Sequence, residues 1–218
     1  MTPTLPTESE LARRKKAIRA SAHSARKAQT NKNEISKRIT DSVCALPAYQ
    51  KANSVLWYID VRDEVRTQHN LPAVLASNKK IVIPFCVGND LQLFHLESLD
   101  ELTPGKYGIL EPDHSLRNVI TKQVSITEVD MVIVPGVAFD PHGGRLGHGK
   151  GYYDKLLQQA SESTTLAALA FQCQIVTDIP MQSHDIAMDW VVTENKTYPD
   201  IHSSEHPAIR TTAPDELT

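Results

Sequence analysis

The chain has 218 residues, 40% hydrophobic and 22% charged, enough to bury the core of one globular domain and too balanced for a low-complexity or fibrous polypeptide. Its net charge of −3 gives no global attraction for nucleic acid, and no run reaches the roughly 18 apolar residues that a membrane span needs. Cys44, Cys86 and Cys173 are odd in number and form no CxxC pair, which argues against a disulfide framework or a thiolate zinc site.

The amino terminus is polar where a secretory signal needs an apolar core, so a cytoplasmic protein is expected. An arginine-rich start also suits an organelle transit peptide, but Glu8 and Glu10 weigh against that reading. Residues 1–8, with Pro3 and Pro6, read as a disordered tail. From Ser9 the chain turns helical, and residues 9–40 hold ten Lys and Arg against Glu10 and Glu34. Lys15 and Arg19 are one helical turn apart, and Arg26 follows on roughly the same face. For a generic basic helix, a solvated face is the usual explanation of such a stripe.

A second helix is expected after a cap at Thr30 or Asn31, with Glu34 in its first turn. Its Ile35, Ile39, Val43 and Leu46 recur at core-facing spacing, and Pro47 ends it. Ser54–Asp60 is an apolar run suited to a buried strand. Glu64 follows in a charged loop at that strand's carboxyl end, where open parallel sheets bind ligands; an exposed loop acid is the commoner alternative.

Residues 67–78 read as a crossover helix, Lys80–Val87 as a second strand, and Leu91–Leu96 as a half-exposed strand. Residues 100–128 are polar and carry Pro104, Gly105, Gly108 and Pro112, which predicts a surface excursion with Tyr107–Pro112 as its most ordered part. Further strands are expected at Asp130–Pro135, Thr165–Phe171 and Trp190–Thr193, a helix at Gly151–Ser161, and a loop at Ile179–Asp185. Everything after Asn195 is polar and reads as a disordered tail. Strands separated by helical segments predict a three-layer α/β domain over residues 9–195, with a mostly parallel, Rossmann-like central sheet.

Six of the nine glycines fall between Gly136 and Gly151. Glycine allows left-handed backbone angles and close approach, so loop amides can face an anion, and a helix beginning beyond adds positive potential. Arg145 and Lys150 supply full charges, which suits a polyphosphate. Gly144–Lys150 has the GxxxxGK spacing of a P-loop, but Gly151 replaces the Ser or Thr that would bind Mg2+. If Mg2+ is needed, an acid must replace that hydroxyl; Asp154 is placed for it, and Asp185 at the end of a later loop can join it. The plainer readings are that Asp140 caps a turn, that Tyr152 and Tyr153 pack the helix on the sheet, and that His142 and His148 meet solvent or phosphate.

Taken together, Pro135–Asp140 and Gly144-Arg-Leu-Gly-His-Gly-Lys-Gly-Tyr-Tyr-Asp154 closely resemble the signature of the 5-formyltetrahydrofolate cyclo-ligase (methenyltetrahydrofolate synthetase) family. Lys15-x-x-x-Arg19, Tyr58, Glu64, Gly108-Ile-Leu-Glu-Pro112, Gln174, Pro180 and His184-Asp185 extend the resemblance over about residues 11–194. It implies that ATP is held by Lys15, Arg19, Arg145, Leu146, Gly147, His148, Gly149, Lys150, Gly151, Tyr152 and Tyr153. Asp154 and Asp185 are implied as Mg2+ ligands, with Lys150, Arg145 and Tyr152 at the chemistry.

Folate contacts are implied for Ile59, Glu64 and Tyr107, together with His148, Gly149, Lys150, Gly151 and Tyr152; Glu64 would read the pterin N–H donors. The implied reaction is ATP-dependent cyclisation of 5-formyltetrahydrofolate to 5,10-methenyltetrahydrofolate with release of ADP and phosphate. A monomer is expected, with neither membrane nor nucleic-acid partner. Two rivals share parts of this reading: a kinase acting on another small molecule, and a non-catalytic nucleotide- or RNA-binding module using the basic arm. The second gains little from aromatics, which are only 6% of the chain and do not interleave with the basic run.

Overall fold

The computed structural model describes residues 7–105, 108–182 and 185–199. Helix α1 spans Glu8–Ala28, one residue earlier than expected, because Thr7 and Glu10 form a reciprocal capping box. Helix α2 spans Lys32–Cys44; Asn31 is its cap residue but sits in the left-handed region and makes no side-chain capping bond. A cap is worth about 1 kcal/mol, whereas each fully buried aliphatic side chain contributes roughly 1.5–3 kcal/mol. Packing of Ile35, Ile39 and Val43 therefore holds α2 in place. Pro47 opens a further short helix, α3 (Pro47–Lys51), a position where its missing N–H costs nothing.

Strand β1 is Ser54–Leu56, shorter than the apolar run suggests. Trp57 N still donates to Val82 O at 2.8 Å, but Asp60 then accepts from Thr67 N and Gln68 N at 2.8 and 2.9 Å, folding the loop back on itself. The expected crossover helix shrinks to a 3-10 turn at Gln68–Asn70 and α4 (Leu71–Leu75), since Pro72 is accommodated only at a helix start. Strand β2 (Lys80–Val87) has the expected bounds, and β3 (Asp90–Leu96) returns antiparallel to it.

The surface excursion contains a small hairpin, β4 (Leu102–Pro104) with β5 (Leu110–Pro112), and then β6 (Gln123–Val124), which joins the edge of the main sheet beside β3. Strand β7 (Met131–Val134) precedes a second hairpin of β8 (Ala138–Phe139) and β9 (Arg145–Leu146). Helix α5 runs only Tyr152–Leu157. Past Leu157 its bonds tighten to i→i+3, from Gln159 and Ala160 to Leu156 and Leu157, and the turn ends before Ser161. Strands β10 (Thr165–Leu169), β11 (Trp190–Val192) and β12 (Thr197–Tyr198) complete the sheet. β12 pairs antiparallel with β11, so the expected tail is ordered at Thr197 and Tyr198.

The main sheet has the order β12-β11-β10-β7-β1-β2-β3-β6. The five central strands, from β11 to β2, are parallel; β12, β3 and β6 add antiparallel edges. Side chains alternate as a pleat requires. Val55, Ile81, Ile83, Met131 and Ile133 pack with α2 on one face, while Leu56, Val82, Val132 and Val134 pack with Leu156 and Leu157 of α5 on the other. This is the expected three-layer α/β arrangement. From β1 the chain crosses to β2 on one side, and from β7 to β10 on the other. Right-handed crossovers in opposite directions put their helices on opposite faces and open a crevice at the carboxyl ends of β1 and β7. Among the described residues, no helix is long and apolar enough to cross a membrane.

Candidate functional site

The crevice is a cavity of about 520 Å³, lined by Lys15, Arg19 and Arg26 of α1, the loop after β1, the end of β2, part of β5, and residues 145–154. That volume suits a small-molecule site. At its floor the chain leaves β7 through Pro135 and Gly136. Buried Gln174 donates from Nε2 to Gly136 O at 3.1 Å and Val137 O at 2.9 Å, and Arg26 Nη1 donates to Gly136 O at 3.1 Å.

The β8–β9 turn is built around Asp140, which accepts from His142 N, Gly144 N and Ile179 N at 2.8, 2.9 and 2.8 Å. Asp140 is thus the turn cap of the plainer reading. A Cβ on Gly144 would overlap the Asp140 carboxylate, so this position admits no side chain. The hairpin turns Arg145 inward, where it donates to Pro135 O at 3.3 Å and pairs with Asp154.

Beyond Leu146 the loop passes over the cavity with Gly149 and Gly151 at φ +92° and +71°, angles that L side chains adopt only with strain. Arg19 Nε donates to Gly147 O at 2.9 Å, pinning α1 to this loop. Lys15 donates to Gln182 Oε1 at 3.0 Å and pairs with Asp185 at 2.7 Å. The basic stripe of α1 therefore faces the site, and the solvated-face explanation fails for Lys15, Arg19 and Arg26. Lys150 is exposed, with its ammonium 5.7 Å from the Tyr152 ring centroid. Among the described residues, Arg19, Arg26, Arg62 and Lys150 have no carboxylate partner, which leaves the cavity poised for an anion.

On the opposite wall Glu64 is 6% exposed, too buried for the loop acid of the plainer reading. One oxygen accepts from Val61 N at 3.1 Å, and the other lies 3.5 Å from His148 Nε2. His148 in turn approaches His23, ring centroids 5.3 Å apart. Burial pushes the His23 pKa below its ordinary value, with the Arg26 charge adding to the effect. Burial also raises the phenols of Tyr58 and Tyr153 well above the usual tyrosine range, so both remain protonated. Tyr58 donates to Val65 O at 2.8 Å and fixes the loop that carries Glu64. The buried carboxylate can accept N–H donors from a ligand, beside apolar Ile59 and Phe85.

Of the residues singled out from sequence, Lys15, Arg19, Ile59, Glu64, Arg145–Asp154 and Asp185 all line this one cavity. Tyr107 and His184 lie outside the described residues. Asp154 and Asp185 each contact a basic chain of the site, Arg145 and Lys15, and among the described residues no cluster of three or more His, Cys, Asp and Glu forms a metal cage. Arg26, Arg62, Phe85, Cys86 and Glu111 also line the cavity and were not singled out as site residues. The carboxyl-end rule that identified Glu64 applies equally to β2 and would have found Phe85 and Cys86. Pro84 beside them was a further signal: β1 pairs with β2 only as far as Val82, so Pro84 interrupts no β1 ladder bond and marks where the crevice opens.

The profile of the 5-formyltetrahydrofolate cyclo-ligase family matches residues 10–194. A Schizosaccharomyces pombe protein described as a probable 5-formyltetrahydrofolate cyclo-ligase is 33% identical over 172 residues, covering 72% of this chain and 83% of that protein. The Escherichia coli (strain K12) 5-formyltetrahydrofolate cyclo-ligase is 30% identical over 171 residues, covering 76% of this chain and 91% of the relative. The NMR structure of Aquifex aeolicus 5,10-methenyltetrahydrofolate synthetase superposes with a TM-score of 0.73 at 32% identity, covering 88% of this chain and 96% of that one. With the glycine loop, Lys15, Arg19 and Glu64 gathered at the crevice where such a sheet binds its ligand, the chain belongs to the 5-formyltetrahydrofolate cyclo-ligase family.

Proposed function

We propose that the protein closes 5-formyltetrahydrofolate to 5,10-methenyltetrahydrofolate, converting ATP to ADP and orthophosphate. The observation that carries this reading is the joining of two unlike half-sites in one cavity: buried Glu64 with apolar Ile59 and Phe85 on one wall, and on the other the glycine loop with Arg19, Arg145 and Lys150. The first suits a flat heterocycle with N–H donors, and the second a polyphosphate. In this reading Glu64 accepts the pterin N–H groups, while Ile59 and Tyr152 contact its ring.

A formyl amide oxygen is a poor leaving group, so ring closure needs activation. The oxygen attacks the γ-phosphorus, and the bond from phosphorus to the bridging oxygen breaks, with ADP taking the electron pair. The 10-nitrogen then adds to the iminium carbon and gives its proton to solvent. The carbon–oxygen bond breaks, orthophosphate takes that pair, and the methenyl cation remains. Such a transfer needs positioning and charge neutralisation more than a covalent nucleophile. Lys150 and Arg145 supply the charge, and the Gly147–Gly151 amides hold the nucleotide with Lys15 and Arg19 closing over it.

Asp154 and Asp185 line the same cavity and offer only oxygen donors, the set that Mg2+ takes together with phosphate oxygens. Bound between them and the nucleotide, Mg2+ would neutralise phosphate charge. Every group named here comes from one polypeptide, and we place the activity in a monomer in the cytoplasm. The stripe Lys15, Arg19 and Arg26 is engaged within the chain, which speaks against an RNA-binding arm. ADP release measured with and without 5-formyltetrahydrofolate separates the remaining rival: a cyclo-ligase releases ADP only with that folate, whereas a kinase for another small molecule ignores it.

A further inference from the structure

Arg26 lies in the last turn of α1, is 3% exposed, and lines the cavity. Its Nη1 donates to Gly136 O at 3.1 Å, and its buried Nε has no partner. Arg145, also buried, repeats the pattern on the neighbouring carbonyl. Its Nη1 donates to Pro135 O at 3.3 Å, and its buried Nε is likewise unpartnered. Two guanidinium groups are thus pinned to consecutive carbonyls at the end of β7. Asp154 balances Arg145; among the described residues no carboxylate pairs with Arg26.

A buried cation without an anion is strongly unfavourable, and the helix carboxyl terminus offsets only a small part of that. A purely structural role would not need the charge. Gln174 already donates to the same Gly136 carbonyl at 3.1 Å, so a neutral side chain serves there. Arg26 also connects the two half-sites. Its charge acts on Tyr58, His23 and Asp63 around the Glu64 wall, while its hydrogen bond goes to the start of the glycine loop.

We propose that Arg26 is a further catalytic residue, forming with Arg145 a paired-guanidinium pocket that holds the phosphoryl group as it passes from ATP to the formyl oxygen. The pocket then retains it as orthophosphate after the carbon–oxygen bond breaks. This rests on the cyclisation reading above. Arg26 forms and breaks no covalent bond, and its planar fork matches the phosphoryl oxygens.

The test uses the full chain and inorganic phosphate, read by NMR of arginine Nε–H resonances in the presence of ADP. The Arg26 and Arg145 signals should shift saturably. Arg26→Gln should weaken orthophosphate binding at least about tenfold and lower kcat by about 10²–10³-fold, as for removal of a transition-state donor, with KM for the folate changed by less than about threefold. Arg26→Lys, which keeps the charge and loses the fork, should recover only part of the rate. An Arg26 Nε–H signal unmoved at saturating orthophosphate, or a folded Arg26→Gln with wild-type kcat, overturns the proposal. Should Arg26→Gln not fold, the wild-type titration decides alone. Failure of the wild type to form methenyl product would overturn the cyclisation reading instead, and the phosphate titration distinguishes the two.

Discussion

Lys15 and Asp185, 170 positions apart in sequence, form an ion pair at 2.7 Å with side chains only 12% and 13% exposed. The pair fastens the N-terminal helix to the loop before β11, over the cavity mouth. Asp185 also accepts from Gln182 N at 2.9 Å, so its carboxylate stays hydrogen-bonded within its own loop when Lys15 is removed. Lys15→Met is expected to cost about 1–3 kcal/mol in urea unfolding, the scale of stranding one partner of a shielded charged contact. Mg-ATP affinity should fall about tenfold, which is about 1.4 kcal/mol. Equilibrium nucleotide binding checks this; an unchanged affinity would limit Lys15 to docking the helix.

Lys150 presents the opposite case. It is exposed, and among the described residues it makes neither a hydrogen bond nor an ion pair, its ammonium lying 5.7 Å from the Tyr152 ring centroid, so the fold does not depend on it. Lys150→Ala should leave stability within about 0.5 kcal/mol of wild type and lower kcat by about 10²–10³-fold if its ammonium meets the transferring phosphoryl. Thermal unfolding and turnover on one preparation measure both, and an undiminished rate would return Lys150 to the surface.

Among the described residues Glu64 is buried without a full ion-pair partner; Val61 N donates to it, and the His148 ring lies 3.5 Å away. A site carboxylate left so poorly compensated is held for a ligand at a cost in stability. Glu64→Gln is therefore predicted to unfold no earlier than wild type on heating, while formylfolate affinity drops by at least about tenfold through loss of charge-assisted acceptance. Calorimetric titration with the folate and a melting curve would contradict this if affinity survived or the fold collapsed.

His23, His69 and His95 all titrate below the ordinary histidine value, with burial the first cause for each. Such a group binds fewer protons folded than unfolded, so its contribution is fully present above about pH 6.5 and is lost as pH falls through the lower folded values. Unfolding free energy should decline through the window below about pH 6.5, and replacing the three by Gln should flatten that slope. A wild-type stability constant over this window would refute the assignment.

Much of this was legible because the signals were local. Lys80–Val87 sets Ile81, Val82 and Ile83 in a row with Phe85 and Val87 beyond them, and it is β2 to the residue. The glycine loop announced itself by composition and by the change from a strand to helical tyrosines. What escaped depends on contacts distant in sequence. Trp57–Asp60 has the composition of a strand, but Asp60 finds Thr67 and Gln68 and turns the chain out of the sheet. Thr197 and Tyr198 sit in a polar stretch and become a strand because the open edge of β11 is there to pair with. Arg26 looked like one more cation on a basic helix; only its contact with Gly136, 110 residues later, reveals it as part of the cavity. The Thr7–Glu10 capping box, by contrast, could be read from spacing alone and would have corrected the start of α1.

The central claim is tested most directly by mixing the protein with 5-formyltetrahydrofolate and Mg-ATP and following, in one reaction, the near-ultraviolet absorbance of the methenyl product and the release of ADP. The cyclo-ligase reading predicts that both rise together in equal amounts and that both require the folate. ADP release without the folate, or no methenyl absorbance with all components present, would contradict it.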